Sequence, residues 1–89
     1  MTFAIYDIAD NAYRDSNENR EQLIEDFFDY WKEVSWDSYA ETLRADGKVA
    51  SDKELEDYFA TCDKEEFLIA NSFEVVEVEE SDLEDAKWV

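Results

Sequence analysis

Histidine and proline are absent from this chain, glycine and cysteine occur once each, and lysine and arginine together number only 8. Each shortage removes a class of chemistry. Without histidine there is no imidazole to act as general base, metal ligand or switch near neutral pH. With Gly47 as the lone glycine, no glycine-rich phosphate loop, nucleophile elbow or dinucleotide fingerprint can be built. Loops must be made from Asn, Asp and Ser. A single cysteine, Cys62, cannot form an internal disulfide framework, which fits a reducing compartment and a cytoplasmic expectation. Neither a basic leader segment behind Met1 nor a long apolar run is present, so neither a signal peptide nor a transmembrane helix is expected.

Carboxylates and aromatics fill the space that these residues leave. The 89 residues are expected to form a single domain, 1–89, with a modest core and marginal stability. Aromatics make up 16% and hydrophobic residues 45% of the chain, which argues for a packed globule and against a disordered acidic tail. Asp and Glu number 26, giving a formal net charge of −18. Such a charge repels itself, nucleic acid and anionic membranes. The expected partner is therefore basic, and direct nucleic-acid or membrane binding is not expected.

The segment TFAIYDI (2–8) alternates loosely and reads as a first strand, although Ile5, Ile8, Ala9 and Ala12 also fit a helix. RDSNENREQ (14–22) reads as a turn and a helix start, with Asn19 and Gln22 as a capping pair. A first helix then runs to about Val34, with Leu23, Phe27, Tyr30, Trp31 and Val34 on an inward arc, Ile24 beside them and Phe28 at the border. A second helix is expected over 35–47, with Ser35 as N-cap and Gly47 at its end. A third, 51–62, opens with the capping box Ser51/Glu54 and carries the stripe Leu55, Tyr58, Phe59, Cys62. Residues 63–72 fit either a short helix capped by Asp63 or the start of a hairpin. FEVVEVEE (73–80) has strand character. Residues 81–89 offer a capping pair, Ser81/Glu84, and read as one helical turn or a frayed tail pinned by Trp88. The expected architecture is α+β, about three helices packed on a small two- or three-stranded sheet, with a mostly α fold as the alternative.

The stretch EDFFDYW (25–31) sets three carboxylates among four large aromatics with no base between them. On a helix the aromatic arc turns inward and the other arc is almost pure carboxylate: Glu21, Glu25, Asp26, Asp29 and Glu33. A second base-free cluster comprises Glu74, Glu77, Glu79, Glu80, Asp82, Glu84 and Asp85. An ordinary solvated surface intersperses both signs. These twelve residues are the candidate partner-binding surface.

The acidic runs EDFFDYW, SDKELEDYF, DKEEF and EVVEVEESDLED resemble those of the small acidic DNA-mimic proteins of phages and mobile elements, a class that includes anti-restriction and anti-CRISPR inhibitors. The likeness lies in composition and patterning over most of the chain. It implies a non-enzymatic inhibitor, monomeric or homodimeric, that occupies the basic groove of a host nuclease, restriction or CRISPR effector by substituting carboxylates for phosphates. Two other readings compete with it. One is an acidic adaptor or antitoxin-like module docking a basic protein without imitating nucleic acid. The other is acidity that serves only solvation in a high-salt cytoplasm.

Other chemistries are weaker on the residues. DSNENREQLIED (15–26) fits the first half of an EF-hand loop, but Arg20 stands where the sharp turn needs Gly and Asp26 where a bidentate Glu belongs. No metal site and no cofactor are expected. With 26 acids, some carboxylate pair always has glycosidase spacing, so the signal is nonspecific. Cys62 sits on an apolar stripe and reads as a structural thiol. Trp31 and Trp36 read as core and Trp88 as exposed. The chain is not expected to be an enzyme.

Overall fold

The computed structural model describes residues 1–47 and 51–88. The order is β1 (Thr2–Asp7), β2 (Ala12–Asn17), α1 (Arg20–Ala45), α2 (Asp52–Thr61), α3 (Lys64–Ala70), β3 (Phe73–Val78) and α4 (Glu80–Glu84). The fold is α+β, with helices packed on a three-stranded antiparallel sheet ordered β2-β1-β3.

Strand β2 overturns the expectation of a turn at 14–17. Its sequence AYRDSN shows no clean period of two, because a bulge at Arg14 breaks the register: Ile5 faces Asp15 while Tyr6 faces Tyr13. The bulge sends Tyr13 to one face of the sheet and both Arg14 and Asp15 toward the other. The hairpin closes with Asn11 in the left-handed region, φ 51°, a conformation that Asn tolerates better than most residues.

A single 26-residue helix, α1, replaces the two that the sequence suggested. At about 1.5 Å rise per residue it is roughly 39 Å long. Ser35 does not cap; it lies mid-helix and its Oγ donates to the Trp31 carbonyl at 2.6 Å, the back-bonded state open to a helical serine. Neither Gly nor Pro interrupts residues 20–45. At the start, Asn19 Oδ1 accepts from the Gln22 N–H at 3.1 Å. The Gln22 side chain does not return the bond but donates to Asp26, so only half of the expected pair forms. Gly47, at φ 73°, follows the helix where a left-handed residue ends it.

The buried arc of α1 is rotated from the expected one. Leu23, Ile24, Phe27, Phe28, Ala40 and Leu43 are buried, while Tyr30 and Val34 are 52% and 55% exposed. Phe28, expected at the border, is only 2% exposed. The cause is α2 and α3, which pack Phe59 and Phe67 edge-on against Phe28, with centroids 6.2 and 5.1 Å away. Phe27 and Trp31 pack instead on Phe73 of the sheet, at 5.0 and 4.7 Å.

Ser51 caps α2 by accepting from the Glu54 N–H. Asp63 caps α3 by accepting from the Glu66 N–H, which settles residues 63–72 as helical at their start. The Ser81/Glu84 capping pair does not form: α4 begins at Glu80, behind Glu79, which makes no side-chain cap. The tail is docked. Trp88 donates its indole N–H to the Leu83 carbonyl, its ring lies 5.7 Å from that of Tyr13, and the Lys87 carbonyl accepts from the Tyr13 N–H at 2.8 Å.

The two faces of the sheet are thus covered differently. Phe3, Ile5, Phe73 and Val75 join the helical core. The other face presents Thr2, Ala4 and Tyr6, with Leu83 and Trp88 beside Thr2 and Ser16. Asp7 is on the helical face and only 4% exposed. Arg14 reaches it at 2.9 Å and lies 5.6 Å from the Trp31 ring. Burial by itself raises the Asp7 carboxyl, but the Arg14 hydrogen bond, the N–H groups of Asp10 and Ala9 and the Arg14 charge outweigh it and hold the group below the usual carboxylate range.

Removing Arg14 strands a buried carboxylate. Arg14→Met should therefore cost about 3 kcal/mol in urea unfolding at pH 7, and adding Asp7→Asn should recover part of that loss. Because the folded Asp7 pKa is depressed, its contribution holds above the unfolded value and fades as pH falls through the folded one. The gap between wild type and Arg14→Met should accordingly narrow below about pH 4.

Candidate functional site

All five acidic residues expected on the first helix project from the solvent side of α1. Glu21, Glu25, Asp29 and Glu33 follow one another at intervals of four, about 6 Å apart along the axis. Asp26 lies toward the β2 edge, beside Arg14, Asp15, Phe27 and Tyr30. Asp29 and Glu33 form one rim of a groove of about 590 Å3 between α1 and α2. Glu56 stands among the residues lining it, the apolar ones being Phe28, Trp36, Phe59 and Ala60.

The second cluster does not extend the first. Glu74 faces Tyr6 across the ladder and Glu77 faces Phe3, so they point to opposite faces of the sheet. Glu79, Glu80, Asp82, Glu84 and Asp85 cap, form and end α4, whose Leu83 lies on the face away from α1. The sheet therefore divides the second cluster itself, with Glu77 on the helical side and Glu74 on the other, and no single continuous acidic face contains all twelve residues.

The basic residues are distributed unevenly between these acids and the rest. Arg14 pairs with Asp7 and Asp10, Arg20 with Glu65 and Arg44 with Asp52. Among the described residues, Glu25 alone of the twelve candidates forms an ion pair, 3.9 Å from Lys64. All twelve are exposed, and the arginines pair instead with Asp7, Asp10, Asp52 and Glu65.

Sequence reasoning missed Tyr30 and Val34 as surface residues. They lie one turn apart on α1, flanked by Asp26, Asp29 and Glu33. The amphipathic pattern holds too many apolar residues for one arc, and it does not say which ones the neighbouring elements cover.

The competing chemistries meet specific obstacles. The EF-hand-like residues end β2 and start α1, and they are engaged locally: Asp15 accepts from the Ser16 N–H, Asn17 from the Asn19 N–H and Asn19 from the Gln22 N–H. Among the described residues the one buried carboxyl, Asp7, is held ionised by Arg14, the opposite of what a general acid requires. Cys62 is half-buried and donates its thiol to the Phe59 carbonyl. Burial raises its pKa, with Asp63 adding to the effect against the hydrogen bonding and the lysines Lys64 and Lys32. Among the described residues no helix is long and apolar enough to cross a membrane.

The chain matches no protein-family model, no curated protein and no solved structure. Its function is therefore argued from its own residues.

A raised thiol pKa leaves little thiolate at neutral pH. Iodoacetamide should alkylate Cys62 in the folded protein at least severalfold more slowly at pH 7.5 than in urea, as followed by mass spectrometry, with the folded rate climbing steeply above pH 9.

Proposed function

We propose that this protein is an acidic nucleic-acid mimic that inhibits a DNA- or RNA-binding protein by occupying its basic groove. The observation that carries this reading is the placement of charge: arginines pair with Asp7, Asp10, Asp52 and Glu65, while among the described residues the α1 row and the C-terminal cluster hold one ion pair, Glu25 with Lys64. The body is elongated, 46 Å by 23 Å by 16 Å. A duplex of that length carries about 27 phosphate charges, from one per 1.7 Å. The chain's net −18 is about two thirds of that figure.

Carboxylates on both sides of the sheet suit a partner that encloses its nucleic acid, since a duplex in a channel shows phosphates to more than one wall. A field of this kind steers association and weakens with salt. The pairing energy is distributed, because an exposed ion pair contributes about 0.5 kcal/mol. A second reading, an adaptor docking at one point, is favoured by exposed Tyr30 and Val34 within the acid row, since aromatic anchors concentrate binding energy.

Proteins of a bacterial lysate retained by the immobilised chain at low salt provide the test. Their release by a 30-base-pair duplex, and not by polyglutamate of equal charge, is the expected result. Neutralising Glu21, Glu25, Asp29 and Glu33 together, or Glu79, Glu80, Asp82, Glu84 and Asp85 together, should lower affinity at least tenfold, whereas each single change should cost roughly twofold. Retention that duplex leaves untouched, and that Tyr30→Ala alone abolishes, would establish the adaptor instead.

A further inference from the structure

The two edges of the sheet are treated differently. On the β2 edge the C-terminal tail lies alongside, with Tyr13 bridged in parallel to Trp88 and its N–H bonded to the Lys87 carbonyl. On the β3 edge, among the described residues, the only backbone partner of Phe73–Val78 is β1. Six consecutive residues pair with β1 on one side, and every second residue along them turns its N–H and C=O outward, with no backbone partner among the described residues.

The side chains on this edge select among possible partners. Glu74, Glu77 and the following Glu79 are exposed, the three valines Val75, Val76 and Val78 are partly buried, and no base lies between 73 and 80. A second copy fits poorly. It would bring a second chain of net charge −18, with its own Glu74 and Glu77, onto the same edge, and like charges brought together across a ladder destabilise it. A basic strand with cations three residues apart, on opposite faces like the two glutamates, reverses that sign.

We infer that β3 is a docking edge for an extended basic segment of the partner protein, which adds antiparallel as a fourth strand and sets Lys or Arg against Glu74 and Glu77. Backbone hydrogen bonds would supply the affinity and alternate side chains the specificity, as in other strand additions. The inference rests on the partner being basic, as proposed above. It adds directional backbone pairing to a charge-based contact, and thereby fixes the orientation in which the acidic clusters are presented.

The probe is a synthetic eight-residue peptide of Val and Thr carrying two Lys three residues apart, the spacing that opposes both Glu74 and Glu77, compared with two versions N-methylated at alternate positions in either phase. All three carry the same charge, so binding driven by charge alone cannot tell them apart. One methylated phase should bind at least tenfold more weakly than the parent by fluorescence anisotropy, because its methyl groups occupy the edge that faces β3. The parent should also slow hydrogen exchange of outward β3 amides, and Glu74→Lys with Glu77→Lys should remove the difference between peptides. Equal affinity of all three peptides, with β3 exchange unchanged, would overturn the docking edge and leave the duplex-release experiment as the judge of the mimic reading.

Discussion

The self-repulsion of eighteen excess negative charges is the constraint that the rest of the molecule answers. What opposes it is a continuous set of aromatic contacts, and α1 distributes them through two adjacent residues. Phe27 turns to the sheet, where it meets Phe73 edge-on and stacks near Trp31. Phe28, about 100° around the helix, turns to α2 and α3, where it meets Phe59 and Phe67. Trp36 and Tyr39 extend the second group onto Phe59. Each edge-on pair contributes about 0.5–1.5 kcal/mol beyond the area it buries. The dipeptide Phe27–Phe28 is therefore the junction between the two halves of the core.

The placement of bases follows from the same constraint. A charge buried without a partner is far more costly than one left in water, so the carboxylate that lies in the core, Asp7, receives Arg14. Arg20 ties the start of α1 to α3 through Glu65 at 2.6 Å. Lys32 and Lys64 lie over the Phe28 ring at 5.9 and 5.4 Å, which places both cations on the aromatic junction, from where Lys64 also reaches Glu25. The unpaired carboxylates that remain are the ones water can solvate. The indole N–H of Trp31 is the exception to good accounting: it is buried without a hydrogen-bond partner among the described residues, beneath Arg14.

Much of the local structure is legible in the chain. Asn19, Ser51 and Asp63 are N-caps in sequence and in space, because a cap depends on bonds two or three residues away. Gly47 ends α1 for the same local reason. Strand β3 is readable from its valines. Strand β2 is not, because its residues become a strand only through hydrogen bonds to β1 and its bulge erases the alternation. The break expected at Ser35 is absent for a similar reason. Serine serves equally as cap or as back-bonded helix residue, and packing of Trp36 and Tyr39 against α2 and α3 favours continuation.

The candidate site divides along the same line. Sequence alone determined that Glu21, Glu25, Asp26, Asp29 and Glu33 share a helix surface and that no base interrupts the C-terminal acids, since spacing along a helix and composition of a segment are properties of the chain. Only the tertiary structure decided that the sheet splits the C-terminal acids between its two faces, that Arg14, Arg20 and Arg44 neutralise other carboxylates, and that Tyr30 and Val34 stay in water. Those outcomes depend on which elements pack against which faces, and packing partners distant in sequence leave no periodic trace in either segment.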